Sequence, residues 1–291
     1  LEKIGQLIIL PSSFTGSPRY MYKHYLDALA IAQKEGKFDL FITMTGNPNW
    51  EAVKENLFAG QTPSDRHDIV NRVFQKMLTE MVSDINCGCF GTMKARVHTI
   101  EGQFRCLKHA HLLLKLMESI RPDDVDKVIQ AQLPDPELDP ELYECVTTFM
   151  LHGPCGPGYP NAACMENGCC SKGYPKDFCD ETTLPTEGGY PIYQRLDNGR
   201  TFVKNGFTFD NRWTIPFNGY LLKKIRCHIN VEFVGSFLSI RYVYKYIHKG
   251  VDVSTIAIKS DEKRNDNDEI EKFINARTID PYDAHWRIME Y

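Results

Sequence analysis

Hydrophobic and polar positions along this chain follow two periods, and each change of period marks an element. Gln6-Leu-Ile-Ile-Leu10 is an apolar run of strand length, followed by a turn-rich loop from Pro11 to Gly16. Ser17 and Pro18 supply an N-cap and a first-turn proline for a helix that runs to about Glu35 and stops at Gly36. Its Tyr20, Tyr22 and Tyr25 are read as packing residues, although a tyrosine-rich face can also stack bases. From Asp39 to Thr45 the period is two: Leu40, Ile42 and Met44 alternate with Phe41, Thr43 and Thr45, so one strand face ends in two hydroxyls. A helix from about Trp50 to Leu57 follows. A longer one, Arg66 to Ile85, carries Ile69, Val73, Met77, Leu78 and Met81 at helical spacing as its core side. Gly91 to Glu101 and His109 to Leu116 then read as two strands joined by a polar loop.

The second half is less regular. Pro122 to Leu133 reads as a short acidic helix, residues 134–140 as a linker and residues 141–151 as a helix. A glycine- and proline-rich segment with clustered cysteines follows. Asp197-Asn-Gly199 predicts a hairpin turn between Tyr190–Arg195 and Thr201–Lys204. Residues 210–218 are irregular around a buried Trp213. A basic helix at 219–226 precedes a strand from Cys227 to Val234. Ser236 to Gly250 reads as a helix and residues 251–258 as a last strand. A charge-dense loop, Lys259 to Asp268, leads to closing helices near Glu269–Arg277 and Tyr282–Tyr291. The sum is an α+β fold, with an antiparallel sheet from strands near residues 6, 40, 96, 112 and 230 and helices flanking it. The predicted division is a first part, 1–140, a Cys/His-rich insert, 141–200, and a remainder, 201–291.

Composition narrows the classes. Among 291 residues, 42% are apolar and 25% charged, which is ordinary for a globular protein. No apolar run approaches the roughly 18 residues of a membrane span. The chain begins at Leu1 and shows no signal peptide, so it is expected to be a piece of a longer protein. A net charge of −4 excludes DNA binding by bulk basic charge but leaves room for a local basic groove. Of the ten cysteines, Cys155, Cys164, Cys169, Cys170 and Cys179 fall in one short segment, which favours a metal site over a disulfide framework.

Three groups of residues carry candidate chemistry. His109 and His111 are two apart on a strand, so both imidazoles leave the same face. The plainer reading is one surface and one core histidine. If the flanking strands pair as a hairpin, Glu101 returns opposite His109, and one oxygen and two nitrogen donors then meet. That mix suits Mn²⁺ or Mg²⁺ and could also hold Zn²⁺. His98 falls on the other strand face. The second group, His152, Cys155, Cys164 and Cys170, has the donor types of a closed structural zinc site, with Cys169 or Cys179 as alternatives for one ligand. The plainer reading there is a loop with free thiols. The third group is Tyr242 and Tyr246, one helical turn apart, with Lys245 and Lys249 beside them. It reads either as a packing stripe or as phenols that a neighbouring cation or metal would turn into nucleophiles.

Together these residues resemble the HUH endonucleases, and most closely the Rep-like nuclease domain of Helitron transposases. Leu10 to Tyr20 looks like that domain's opening motif, and Asp39 to Pro48 like its first Rep motif. His109-Ala-His111 resembles the histidine–hydrophobe–histidine motif. His152 to Lys176 resembles the cysteine-containing insert, and Tyr242 to Gly250 the two-tyrosine motif. The sequence departs from the family at Gly102, Cys106 and Lys108 around the loop before the histidines, and at Cys169. The resemblance implies an HUH/Rep nuclease-like sheet of ferredoxin/RRM-like topology with a small zinc-binding insert. It implies a metal-dependent nickase and strand transferase acting on single-stranded DNA. Glu101, His109 and His111 would hold a divalent cation, Tyr242 and Tyr246 would form 5′-phosphotyrosine links, and Lys245 and Lys249 would stabilise phosphate or phenolate. Thr43, Thr45, Asn47, Arg19 and Lys108 are expected to help place the strand. A helicase domain elsewhere in the full-length chain and a nuclear location are implied as well. Two rivals predict other behaviour: a zinc-stabilised single-strand binding module would bind without cleaving, and a hydrolase using water would tolerate loss of both tyrosines.

Overall fold

The sheet at the centre forms because four strands pack one apolar face against one long amphipathic helix. The computed structural model describes residues 11–13, 18–102, 107–184, 190–234 and 281–291. In chain order the elements are α1 (Pro18–Glu35), β1 (Leu40–Thr45), α2 (Glu51–Lys54), α3 (His67–Asn86), β2 (Met93–Gly102), β3 (Lys108–Leu116), α4 (Val125–Val128), α5 (Pro140–Phe149), β4 (Met165–Glu166), β5 (Cys169–Cys170), β6 (Phe202–Lys204), β7 (Phe207–Phe209), α6 (Gly219–Ile225), β8 (Ile229–Phe233) and α7 (Pro281–Ile288). The expected strands near residues 6 and 251–258, the helices at 236–250 and 269–277, and the loop at 103–106 lie outside the described residues.

Among the described residues the main sheet has four strands in the order β2-β3-β1-β8, with every neighbouring pair antiparallel. The molecule is therefore α+β, with a central antiparallel sheet and flanking helices. Leu40, Ile42, Met44, Ala110, Leu112, Leu114, Ile229 and Val231 form one sheet face and are fully buried. Val70, Phe74, Leu78, Met81 and Ile85 of α3 complete that core. The buried stripe of α3 is thus rotated from the expected one: Ile69, Val73 and Met77 lie on its flank. The reason is a second layer. α7 docks on α3 through Asn71 Nδ2, which donates to the Tyr282 carbonyl at 2.7 Å, and Trp286 meets the Phe74 ring edge-on.

The other sheet face is divided. Phe41, Leu113 and Val97 occupy its lower half, where Ala28, Tyr25 and Ile31 of α1 cover them with Phe38 and Val234. The upper half is polar. Buried Asp39 fixes the lower end of the sheet by accepting from Leu116 N at 2.8 Å and pairing with Lys115 at 3.1 Å.

The second half departs from the sequence reading in two places. The predicted helix at 122–133 is one short 3₁₀ turn and α4. Beyond it the chain extends, because Gln130 and Phe217 exchange backbone hydrogen bonds. The hairpin forms one turn later than expected. β6 and β7 close around Asn205 and Gly206, both at positive φ (52° and 78°), the geometry of a tight two-residue turn. The segment 192–195 pairs instead with residues 179–183.

Candidate metal centres

The first centre grows out of strand register. β2 and β3 pair with Glu101 opposite His109 and Thr99 opposite His111. β1 places Thr45 opposite His109 and Thr43 opposite His111. On β8, Asn230 pairs with Thr43, and the Thr45 N–H donates to the His228 carbonyl at 3.0 Å. Two rows therefore cross the polar half-face: Glu101–His109–Thr45–His228 and Thr99–His111–Thr43–Asn230. His98 pairs with Leu112 and so belongs to the opposite face.

Among the described residues the one group of three or more donors whose ligand atoms all lie within 4.8 Å of one another is the Cys/His cluster described below; on this strand face one donor pair is close. His111 Nε2 and Glu101 Oε1 face each other at 3.1 Å, near the spacing of about 3 Å between neighbouring ligands on an ion with bonds of about 2.1 Å. The two imidazoles meet edge to face, 4.4 Å between centroids. Thr45 Oγ1 engages His109 Nδ1 at 2.8 Å, which leaves Nε2 as that ring's ligating atom. Phe41 stacks on His111 from below, 5.8 Å away and nearly parallel. Burial, then the charges of His111 and His228, push the His109 pKa down to about 3. The ring is neutral at pH 7, the state a metal ligand needs.

The second centre is built on loops. His152, Cys155, Cys164 and Cys170 present ligand atoms that all lie within 4.8 Å of one another. A tetrahedral zinc with bonds of about 2.0–2.3 Å sets its ligands about 3.3–3.8 Å apart, so small adjustments suffice, and this Cys/His cluster could bind a metal such as zinc. His152 Nε2 is already 3.3 Å from Cys170 Sγ, and the His152 ring stacks on Tyr174 at 4.2 Å. Burial and the neighbouring Cys164 and Cys170 sulfurs push the Cys155 thiol up to about 12. Burial alone would raise Cys170 as well, but the backbone N–H groups of Tyr174 and Lys172 bring it below its ordinary value. Cys169 is exposed, and the Cys179 thiol donates to the Glu181 carbonyl. The loops have more core than their composition suggests: Cys155, Phe209 and Trp213 are buried together, with Phe207 and Tyr174 against them.

The remaining expected residues are placed as follows. Arg19 is exposed in the first turn of α1. Thr43 is buried beside His111, and Asn47 accepts from Asn49 N and donates to the Arg226 carbonyl at 2.8 Å. Lys108 is buried on the opposite sheet side, paired with Asp283 and over the Trp286 ring; its ammonium faces inward, not toward solvent. Tyr242, Lys245, Tyr246 and Lys249 lie outside the described residues. His228 is the residue that sequence reading missed. Parity within 227–234 puts it on the face of Asn230 and Glu232, and only the register of β8 against β1 brings that face to the histidine pair.

No helix among the described residues is long and apolar enough to cross a membrane. No curated protein matches the chain. Residues 1–114 match the family model described as the Helitron helicase-like domain at N-terminus, a span that contains β1, β2, Glu101, His109 and His111 but not the Cys/His cluster. That match covers the first 114 of the 291 residues, and over that stretch the chain is similar to the N-terminal helicase-like domain of Helitrons.

Proposed function

We propose that this chain is an HUH-type nuclease: a metal-dependent single-stranded DNA nickase and strand transferase of a rolling-circle transposase. The observation that carries the reading is strand register on the polar half-face, which sets Glu101 and His109 in one row and His111 in the next. A divalent cation bound there would polarise a non-bridging oxygen of the scissile phosphate and offset charge as it develops. Glu101, His109 and His111 hold that position, and Thr45 keeps the His109 ring turned toward it. In this reading Thr43, Asn47 and Arg19 help place the DNA strand.

The nucleophile in this reading is the phenol of Tyr242 or Tyr246. Its oxygen forms a bond to phosphorus, the bond to the 3′-oxygen breaks, and the leaving oxygen takes up a proton while the phenol loses one. Attack by another 3′-hydroxyl reverses the step, so strands join without ATP. Lys245 and Lys249 supply positive charge beside the phenols. The Cys/His cluster is read as a structural zinc site.

The test uses labelled single-stranded DNA carrying a transposon end, with Mn²⁺, resolved on a denaturing gel and mapped by peptide. A covalent adduct at Tyr242 or Tyr246 is expected. It should vanish in Tyr242→Phe/Tyr246→Phe and in His111→Ala, while DNA binding persists. Cleavage that survives the double tyrosine change would make the protein a hydrolase. Binding without cleavage would make it a single-strand binding module.

A further inference from the structure

One histidine outside both donor clusters lies between them. His228 precedes β8 and stands opposite Thr45, on the face that carries His109. Its Nδ1 is 2.8 Å from the Phe149 carbonyl oxygen. A carbonyl only accepts, so Nδ1 carries the proton and the ring's orientation and tautomer are fixed. Phe149 ends α5, three residues before His152. The short piece between them is pinned on both sides: Ile215 N donates to the Met150 carbonyl at 2.8 Å, and His152 N donates to the Trp213 carbonyl at 2.9 Å. The charge of a protonated His228 would be felt by both His109 and His152, which agrees with a position between them.

A continuous path results. His152 is tied through three residues to the Phe149 carbonyl, which accepts from His228. The His228 carbonyl accepts from Thr45 N, and Thr45 Oγ1 engages His109 Nδ1. We propose that His228 is a positioning residue that couples the two centres: a metal held by His152, Cys155, Cys164 and Cys170 fixes the Phe149 carbonyl, and through His228 and Thr45 fixes the ligating ring of His109. The inference rests on reading Glu101, His109 and His111 as a divalent-ion site. It adds that the loop-borne metal tunes that ion's affinity. Outer-shell partners that orient a ligating imidazole act in this way. Linkage makes the effect mutual, so an ion at the strand site must strengthen zinc binding by the same factor.

The experiment measures Mn²⁺ affinity by loss of the free-ion electron paramagnetic resonance signal, in zinc-loaded wild type, His228→Phe and His228→Asn. Phenylalanine keeps a ring but has no donor. Asparagine presents an amide N–H close to where Nδ1 lay. The Phe variant should bind Mn²⁺ about tenfold or more weakly at unchanged zinc content, and the Asn variant should stay close to wild type. Equal affinity in the Phe variant and wild type overturns the coupling. So does an Asn variant as weak as the Phe variant, because bulk rather than the donor would then matter. A wild type that takes up no Mn²⁺ overturns the divalent-ion reading itself, and this inference with it. A second measurement stands if the Phe variant does not fold: zinc affinity of the wild type, by competition with a chromophoric chelator, with and without saturating Mn²⁺. Zinc affinity that ignores Mn²⁺ overturns the proposal.

Discussion

The two donor clusters differ in ligand chemistry, one carboxylate and two imidazoles against one imidazole and three thiols, and they are positioned by opposite routes. Glu101, His109 and His111 sit on adjacent strands, and the sheet ladder sets their spacing before any ion arrives. Beneath them Ala110, Leu112 and Leu114 are fully buried, so the backbone that carries the imidazoles is held from the far side. His152, Cys155, Cys164 and Cys170 hang on turns, two-residue strands and glycines, with a small aromatic floor of Phe207, Phe209 and Trp213. A strand-borne site is preorganised by the fold. A loop-borne site gains much of its order from the metal it binds.

Removing metal is the strongest way to break this contrast. Apparent binding energies of structural zinc reach about 10–16 kcal/mol, and that energy becomes folding energy where the loops lack a core. A strong chelator should therefore strip hydrogen-exchange protection from amides in residues 152–179 and leave β1 and β3 protected. Loss of protection in β1 and β3 at the same chelator concentration would mean that the two clusters belong to one cooperative unit.

The complementary change acts on the sheet. Leu112 lies between the two faces' chemistries, its side chain fully buried against α3 while its neighbour His111 faces the other way. Leu112→Ala should cost about 2–5 kcal/mol through lost burial and a residual cavity, read as a lower denaturant midpoint of the main transition. Zinc affinity should hardly change, since no residue of the Cys/His cluster packs on Leu112. A large fall in zinc affinity would contradict the separation.

The same contrast explains what could be read from the sequence. The strand register was legible because period two fixes which side chains share a face, and a short loop between two strands makes Glu101 and His109 partners. The four loop ligands were legible by residue type, and the structure brings those four together; Cys169 and Cys179 had stood as alternatives for one of them. His228 was not legible, since its neighbours on the face come from β1 and from the end of α5, far away in sequence. Lys108 was misleading for a related reason. A lysine beside a histidine pair suggests a phosphate contact, but strand parity turns it to the opposite side, where Asp283 of α7 receives it. The hairpin was misplaced because Asp197-Asn-Gly199 and Asn205-Gly206 carry the same turn signal, and only pairing of Phe202 with Phe209 selects the second.

The smallest expected effect tests how much the aromatic floor contributes beside the metal. Gly206 sits at φ 78° in the hairpin turn, with open space where a Cβ would go, so Gly206→Ala is opposed by backbone conformation alone, at about 1–2 kcal/mol. That strain falls on β6 and β7, whose Phe207 and Phe209 support the Cys/His loops. If ordering of the loops and zinc binding are one event, the cost should appear as weaker zinc binding, about five- to thirtyfold at 1.4 kcal/mol per factor of ten. The alternative is a hairpin that stays ordered on its own. The cost would then show only as local fraying of β6 and β7, with zinc affinity unchanged, and the floor would have to be counted with the preorganised sheet instead of with the metal. A chelator competition on the Gly206→Ala chain distinguishes the two, and the coupled outcome is the one expected, because Phe207 and Phe209 pack on Trp213 within the same cluster that buries Cys155.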